Sequence, residues 1–449
     1  MSSGSKKPAI FDLSNKGLLP FQNFMVGVFA VVALVILAQF PGALEKTISV
    51  IFETSPIWLP LVLLPQFMHI WLHWRRAMFL MGQGSALIEI KLPKELVKSP
   101  EAMELVLTSL WQKGSATYLE TYWKGKVKPW FSFEIVSEDG NIRFYMWTFK
   151  KFKELLVHQL YGQYPNIEIL DVKPEDDYVH KVEHDPVNLP IWGTYYNLAK
   201  PSIYPIKTYM DFRMHENPKE EYKIEPMTPL LEYLGSMKKG ETVWIQVLFQ
   251  CHRKQGLKEG FLYKQPFWSD AGKAEVNKIM KRDPETKGPD VVSDTGFPIH
   301  PVMSEGDKNA ITAIERNISK YPFETTIRAF YIAKAEAYNP ISNTGIIGIF
   351  NQFNSKELNE IKLAWFTDFD YPWQDFRRIR RNRMEKQMLD AYKKRSFFQG
   401  PYHHFREAGF IMNAESLASI YHFPGEAATT PSFTRIPSKK VEPPSNLPT

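Results

Sequence analysis

Two apolar runs dominate the pattern of hydrophobic and polar positions near the start of the chain. Residues 21–40 carry no charged side chain. At about 1.5 Å of rise per residue, a helix of that length is about 30 Å long, which matches one hydrocarbon core. A second apolar run over residues 57–74 follows a short loop. The pattern predicts a tail over residues 1–20 and a transmembrane helical hairpin over residues 21–76.

The distribution of basic residues predicts the orientation of this hairpin. Its outer flanks contain Lys6, Lys7, Lys16, Arg75 and Arg76. The loop over residues 41–56 contains only Lys46. Since Lys and Arg in short flanks favour the cytoplasmic side, both termini are expected to be cytoplasmic. A cleaved signal peptide is the alternative for the first run, but its apolar core is long for that role and no A-x-A site follows it.

The polar and apolar alternation after the hairpin predicts a first α+β domain over residues 86–173. A strand over 86–92 precedes a helix that Ser99 caps, with Pro100 at its first position. Residues 131–135 alternate as a half-buried strand, and the turn over 138–141 returns the chain as a second strand. A helix over 150–161 and a strand over 167–172 follow. The order β-α-β-β-α-β is typical of a ferredoxin-like fold.

A second α+β domain is predicted over residues 190–355, after an acidic, proline-flanked linker over 174–190. Its predicted strands span 203–212, 242–251 and 323–333, and its helices span 229–237 and 307–319. A long insertion over 252–306 is expected to be mobile or functional. Two proline-initiated helices that end in Lys-Gly, within 99–114 and 225–240, suggest that the two domains are related. The expected fold class is thus α+β, with two transmembrane helices followed by one or two ferredoxin-like units.

Composition adds three constraints. The formal net charge is +6, which is too small for this length to indicate a nucleic-acid-binding protein by itself. The single cysteine, Cys251, excludes a disulfide framework and agrees with a reducing compartment. Aromatic residues make up 14% of the chain, which indicates a large packed core.

Catalytic chemistry finds no support in the residue pattern. Residues 235–242 have the glycine spacing of a phosphate-binding loop, but Glu241 replaces the lysine and the segment joins a helix to a strand. The pairs His69/His73, His180/His184 and His403/His404 lack the further ligands of a metal site. We therefore predict a protein that is not an enzyme, with no catalytic residue, no metal ion and no cofactor.

The most prominent local pattern is a basic amphipathic helix over residues 373–396. Its basic residues are Arg377, Arg378, Arg380, Arg381, Arg383, Lys393, Lys394 and Arg395. Its incomplete apolar stripe comprises Ile379, Met384, Met388 and Tyr392. Such a helix suits an anionic surface, either lipid headgroups or nucleic acid. The alternative is an ordinary solvated helix whose arginines pair with acids elsewhere. A smaller basic-aromatic stretch over 122–130 either binds an anionic surface or packs its tryptophans at the edge of an apolar core.

The C-terminal part completes the pattern with a proline-rich, extended tail over residues 423–449. The segments LASIYHFPG (417–425), DAYKKRSFF (390–398), WKGKVKPWFSFEIVS (123–137) and KGETVWIQVL (239–248) resemble the N-terminal membrane-anchored region that precedes HerA/TraG-type P-loop ATPases. Those ATPases occur in type IV secretion and conjugation-like systems. The motor domain itself has no counterpart in this sequence, so the resemblance does not imply ATPase activity.

The resemblance and the residue pattern together define the expected function. We expect a two-span protein of the bacterial inner membrane that serves as a non-catalytic platform for a separate P-loop motor ATPase and is oligomeric with that motor. Anionic lipid headgroups and nucleic acid are the other expected partners. Two rival functions are a membrane-associated nucleic-acid-binding protein without a motor, and an enzyme whose site is dispersed along the chain.

Overall fold

The computed structural model describes residues 42–93, 98–114, 116–214, 225–254, 267–280, 303–369 and 371–425. The chain divides into two compact units, Met1–Arg75 and Arg76–Thr449. The predicted tail (1–20), the first predicted span (21–40), most of the insertion (255–266 and 281–302) and nearly all of the C-terminal tail (426–449) lie outside the described residues.

Apart from one helix that begins in the first unit, the described strands and helices lie in the second unit. The strands are β1 (Ser85–Lys91), β2 (Trp130–Glu138), β3 (Asn141–Phe149), β4 (Glu168–Val172), β5 (Ile191–Leu198), β6 (Glu241–Cys251), β7 (Pro322–Ala333), β8 (Ile361–Phe366) and β9 (Phe410–Asn413). The helices are α1 (Ala43–Met81), α2 (Pro100–Ser109), α3 (Tyr118–Tyr122), α4 (Lys153–Gln163), α5 (Thr228–Gly235), α6 (Trp268–Ile279), α7 (Glu305–Ser319), α8 (Pro340–Gly348), α9 (Ile379–Lys393) and α10 (Ala414–Ile420).

Helix α1 corrects the predicted membrane hairpin. The residues expected to form a loop (41–56) and a second span (57–74) lie almost entirely in this one helix, which contains Pro56, Pro60 and Pro65. Prolines and polar residues break up its apolar character. Among the described helices, none combines the length and the apolar run that crossing a bilayer requires. The predicted transmembrane hairpin and the two-span inner-membrane localisation are therefore wrong.

The strands of the described residues form a single antiparallel sheet, and this corrects the predicted fold class. The strand order is β4-β1-β3-β2-β6-β7-β5-β8, and β9 pairs with the start of β7. Strands β2 and β6 pair from Trp130–Gln250 to Glu138–Thr242. The residues assigned to separate ferredoxin-like units thus share one nine-stranded sheet.

The connectivity of the sheet nevertheless repeats. Strands β1 to β4 lie in the order β4-β1-β3-β2, and β5 to β8 lie in the corresponding order β8-β5-β7-β6. The two quartets meet where β2 pairs with β6, the second strand of each quartet. Because antiparallel strands satisfy each other's backbone groups, this joint covers an edge of each quartet that would otherwise be exposed.

Both faces of the sheet are buried, because side chains alternate between two cores. One face carries Phe131, Phe133, Ile245 and Ile327 and packs against α2, α4, α5, α8 and α10. The other face carries Trp244 and Phe330 and packs against α9. Residues 131–135 are therefore not a half-buried strand as predicted, since Ser132 and Glu134 on the second face are buried as well.

Local sequence signals predicted most of the elements near their observed bounds. The hairpin turn between β2 and β3 is confirmed, with Asp139 and Gly140 both at positive φ. A Cβ at Gly140 would lie 2.9 Å from the carbonyl oxygens of Gly235 and Met237, so this position requires glycine. The strand predicted over 203–212 is wrong, because β5 lies earlier and 203–212 forms turns. The predicted linker over 174–190 contributes buried residues, among them Tyr178.

One ion-pair cluster ties the strands at the central joint and makes stability depend on pH. Glu324 of β7 contacts Lys128 at 2.9 Å and His252 at 3.1 Å, and it accepts a hydrogen bond from Gln250. Burial opposes the charge of Glu324, but the hydrogen bonds and charges of His252 and Lys128 lower its pKa from 4.5 to about 2. The folded state thus stabilises the ionised carboxylate.

Replacing Glu324 by Gln should flatten the pH dependence of stability in acid. A carboxylate whose pKa is lower when folded contributes stability above about pH 4.5, and this contribution is lost as the pH falls towards 2. The wild type should therefore lose roughly 3 kcal/mol more than the variant across this window. Urea unfolding at several pH values measures the difference. Glu305→Gln, at an exposed position of α7, is the control, and equal slopes for wild type and Glu324→Gln would contradict the prediction.

Candidate functional site

The predicted basic helix is real but does not present a continuous basic surface. Helix α9 spans Ile379–Lys393, and its basic residues at the two ends are roughly 20 Å apart. Arg377, Arg378, Arg380 and Arg383 are exposed at the N-terminal end. Lys393 and Lys394 lie at the C-terminal end, where Lys394 pairs with Asp390 at 2.7 Å. The predicted anionic-surface residues thus form two separate groups.

Two of the predicted surface arginines are engaged in ion pairs. Arg381 contacts Glu385 at 2.8 Å and Asp368 at 3.1 Å. Burial opposes the charge of Arg381, but these acids raise its pKa above the ordinary value. Arg395 is buried, with its guanidinium between Glu134 and Asp177. The prediction that Arg395 faces an anionic surface is therefore wrong.

Arg395 belongs to a buried polar network that holds the C-terminal part of α9 on the sheet. It contacts Glu134 at 3.0 and 3.1 Å and Asp177 at 3.1 Å. Tyr178 donates a hydrogen bond to Glu134 at 2.7 Å, and its hydroxyl lies 3.0 Å from that of Tyr392. Burial by itself would lower the pKa of Arg395. The charge of Glu134 and the hydrogen bonds to Asp177 and Glu134 outweigh burial and raise this pKa well above its ordinary value.

The network continues across the sheet as a row of opposed residues. Glu134 faces Gln246 in the pairing of β2 with β6, and Gln246 faces Arg328 in the pairing of β6 with β7. Gln246 bonds to both neighbours. Arg328 also donates to the carbonyl oxygen of Ala391 at 2.9 Å, at the end of α9. Two buried guanidinium groups thus balance the charges of two carboxylates, Glu134 and Asp177, beneath the helix.

The other end of α9 is built differently and exposes large apolar side chains. Their exposed fractions are 51% for Tyr371, 78% for Trp373, 75% for Phe376 and 63% for Ile379. Tyr371 and Trp373 stack on each other, with ring centroids 4.7 Å apart. Of the predicted apolar stripe, Met384, Met388 and Tyr392 are buried and Ile379 is not.

These apolar residues and the exposed arginines define one surface, which we call the Arg–aromatic patch. It comprises Tyr371, Trp373, Phe376, Arg377, Arg378, Ile379, Arg380 and Arg383. Arg377 lies over the Phe376 ring at 5.2 Å, and Arg380 lies over the Phe369 ring at 5.1 Å. Sequence reasoning identified the arginines and missed the aromatic residues. The spacing of aromatic residues immediately before the arginines was the available signal.

The backbone of the patch is strained at two residues and is held in place by hydrogen bonds to a carboxylate. Arg377 and Arg378 are both left-handed, at φ 57°, a conformation that costs a non-glycine residue roughly 1–2 kcal/mol. The carboxylate of Asp375 offsets this cost, since it accepts hydrogen bonds from the amides of Arg380 and Arg381 at 2.8 Å each. A negative charge is also favourable at a helix N-terminus. Strain of this kind concentrates at functional surfaces.

The patch is electropositive beyond its own residues. Arg406 lies over the rings of Trp365 and Phe405 at 5.1 and 5.0 Å. Burial lowers the pKa of Arg406, and the charges of Arg383 and Arg380 lower it further. Within the described residues, neither Arg378 nor Arg383 has a carboxylate within ion-pair distance. An anionic group of a partner would relieve this repulsion.

The other segments singled out in the sequence are accounted for within the fold. Gly235 ends α5 and Glu241 begins β6, which confirms the helix-to-strand order that argues against a phosphate-binding loop. In the basic-aromatic stretch, Trp130 is buried and its indole donates to the carbonyl oxygen of Arg395 at 3.0 Å. Lys128 pairs with Glu324. Most of this stretch is therefore part of the packed structure.

Comparison with known proteins places the chain in a family without assigning it an activity. Residues 80–435 match a family described as a domain of unknown function (DUF8128), and because the match covers more than half of the chain, the protein belongs to this family. No curated protein matches the chain. Neither finding points to type IV secretion or conjugation, so that expected context is corrected. The resemblance to the region ahead of HerA/TraG-type ATPases stays a prediction.

Proposed function

We propose that this family member is a non-catalytic adaptor that docks an acidic partner protein on the Arg–aromatic patch. The observation that carries the proposal is the exposure of Trp373, Phe376 and Ile379 beside arginines that have no carboxylate partner among the described residues. Trp, Tyr and Arg are the residues that most often dominate the energetics of protein interfaces. Exposed clusters of large apolar side chains are rare on surfaces that contact only water.

The rigidity of the supporting structure favours docking. The C-terminal half of α9 is fixed by Arg395 and Arg328, so its exposed N-terminal end is presented in one orientation. Preorganised side chains lose little conformational entropy on binding, which increases affinity. The patch therefore has both the composition and the rigidity of a binding surface.

The resemblance stated above supplies the identity of the proposed partner, a separate P-loop motor ATPase of the HerA/TraG type. Lipid headgroups are a weaker proposal, because the argument for them depended on a membrane tether that the structure overturns. Nucleic acid is the remaining alternative. The stacking of Tyr371 on Trp373 leaves fewer free ring faces for bases, which favours a protein partner.

The test is the affinity of the purified chain for the HerA/TraG-type ATPase of the same organism, measured by biolayer interferometry. Replacing Trp373 and Phe376 together by alanine should weaken binding at least about 30-fold, since interface hot spots contribute about 2 kcal/mol or more. Trp123→Ala, which removes an exposed tryptophan elsewhere, should change the affinity less than about twofold.

Two outcomes would contradict the proposal. One is the absence of binding to the ATPase, and the other is binding that the Trp373/Phe376 double variant leaves unchanged. Binding of oligothymidylate with a salt dependence that falls by about one unit for each patch arginine replaced by Gln would instead identify a nucleic-acid surface.

A further inference from the structure

A groove opens beside the Arg–aromatic patch, with a volume of about 460 Å³. Its apolar wall includes Pro186, Pro190, Pro340 and Tyr338, and its polar residues include Asn343 and Arg378. Arg378 belongs to both the groove and the patch, so a ligand in the groove would be continuous with a partner on the patch.

The groove contains one positive charge that is available to a ligand. Arg381 also lines it, but its charge is matched by Asp368 at 3.1 Å and Glu385 at 2.8 Å. Arg378 is exposed and has no carboxylate partner among the described residues. The site therefore suits a single carboxylate better than a polyanion, because the Asp368 carboxylate would repel a second negative charge.

The groove also contains an acceptor that lacks a donor. Asn343 donates a hydrogen bond from Nδ2 to the Tyr338 hydroxyl at 3.2 Å, whereas its Oδ1 is buried without a partner among the described atoms. A buried oxygen without a hydrogen bond is costly, and such groups are uncommon in folded proteins. When the Asn343 side chain rotates toward the groove, an N–H group of a ligand can satisfy this oxygen.

We infer that the groove binds an extended peptide segment of the partner that carries one acidic residue. A glutamate or aspartate carboxylate pairs with Arg378, a main-chain N–H donates to Oδ1 of Asn343, and apolar side chains pack on Tyr338 and the proline wall. Aromatic side chains that line a groove are a known means of binding extended, proline-rich peptides. This inference rests on the proposed adaptor function and specifies the chemistry of the segment that is bound.

The test uses the full chain and a fluorescein-labelled octapeptide of Pro and Ala with one central Glu (the Glu–Pro peptide). A peptide with Gln in place of that Glu (the Gln–Pro peptide) is its neutral counterpart. Fluorescence anisotropy should show that Arg378→Gln weakens binding of the Glu–Pro peptide about tenfold or more and leaves the Gln–Pro peptide within about twofold. Asn343→Ala should weaken both peptides alike, because both contain the main-chain N–H. Lys386→Gln, at an exposed position of α9 outside both the groove and the Arg–aromatic patch, is the matched control and should change neither affinity more than about twofold.

The outcomes separate this inference from the adaptor function. If the Glu–Pro peptide does not bind, or Arg378→Gln affects both peptides equally or neither, the groove inference is wrong. Should the Trp373/Phe376 variant still abolish ATPase binding in that case, the adaptor function stands. Conversely, peptide binding that depends on Arg378 without any ATPase binding would support the groove and contradict the proposed motor partner. Melting temperatures of the variants within a few degrees of wild type exclude misfolding as the cause.

Discussion

Replacing Arg395 by methionine should lower the free energy of unfolding by about 3–5 kcal/mol at neutral pH. The guanidinium is buried and contacts both Glu134 and Asp177, so its removal leaves two carboxylates facing each other with insufficient positive charge. Breaking a buried ion pair costs more than the pair itself contributes, because the remaining charge stays desolvated. Burial of the Arg395 side chain thus makes it the most sensitive of the eight predicted surface residues.

Lys394→Met is the matched control for this prediction, since it removes a neighbouring positive charge that is exposed and pairs only with Asp390 among the described residues. Its effect should be below about 1 kcal/mol. Chemical denaturation of both variants measures the difference. Equal stabilities of the two variants would show that Arg395 is exposed to solvent and that the network does not anchor α9.

The elements that the sequence predicted correctly are those whose conformation depends on residues close to them in the sequence. The β2–β3 hairpin depends on Asp139 and Gly140, which adopt the positive φ that their turn requires. Helix α2 begins at Pro100, the predicted first position, although the side chain of Ser99 makes no capping hydrogen bond. In both cases the determining interactions lie within a few residues of each other, so the local pattern contains the needed information.

The errors concern interactions between residues far apart in the sequence. Glu134 was expected on a solvated face, and it is buried because α9, more than two hundred residues later, covers that face of the sheet. Strand β5 was missed although its Trp, Thr and Tyr residues favour strands, because its partners β7 and β8 lie far along the chain. The pairing of β2 with β6, which makes one sheet of two quartets, has no local signal either.

The sequence predicted only part of the candidate site, for the same reason. The arginine-rich pattern marked Arg377, Arg378, Arg380 and Arg383, which are exposed. It did not separate them from Arg395, because the position of a basic residue relative to a distant carboxylate cannot be read from helical periodicity. Arg395 adopts φ 46° just beyond the helix, and this turn directs its side chain away from the helical pattern.

Gly193 supports the site from beneath, and replacing it by alanine should destabilise the fold by roughly 1–3 kcal/mol. It lies in β5 directly opposite Phe330 of β7. A Cβ at this position would lie 2.7 Å from Cε1 of Phe330 and 2.8 Å from Sδ of Met388. Because both contacts are closer than van der Waals distance, the Phe330 ring and the Met388 side chain must both shift.

The contribution of Met388 to this strain is testable with a double-mutant cycle. Met388→Ala alone should cost about 2–5 kcal/mol by leaving a cavity, but in the Gly193→Ala protein it removes one of the two clashes. The double variant should therefore be more stable than the sum of the single effects by about 1 kcal/mol or more. Gly162→Ala is the control, since a Cβ there meets no atom within 4 Å and alanine favours helix α4. Urea denaturation of the variants gives the coupling energy, and strict additivity would mean that Met388 does not pack against β5, so that α9 and the Arg–aromatic patch are not seated on the sheet at this point.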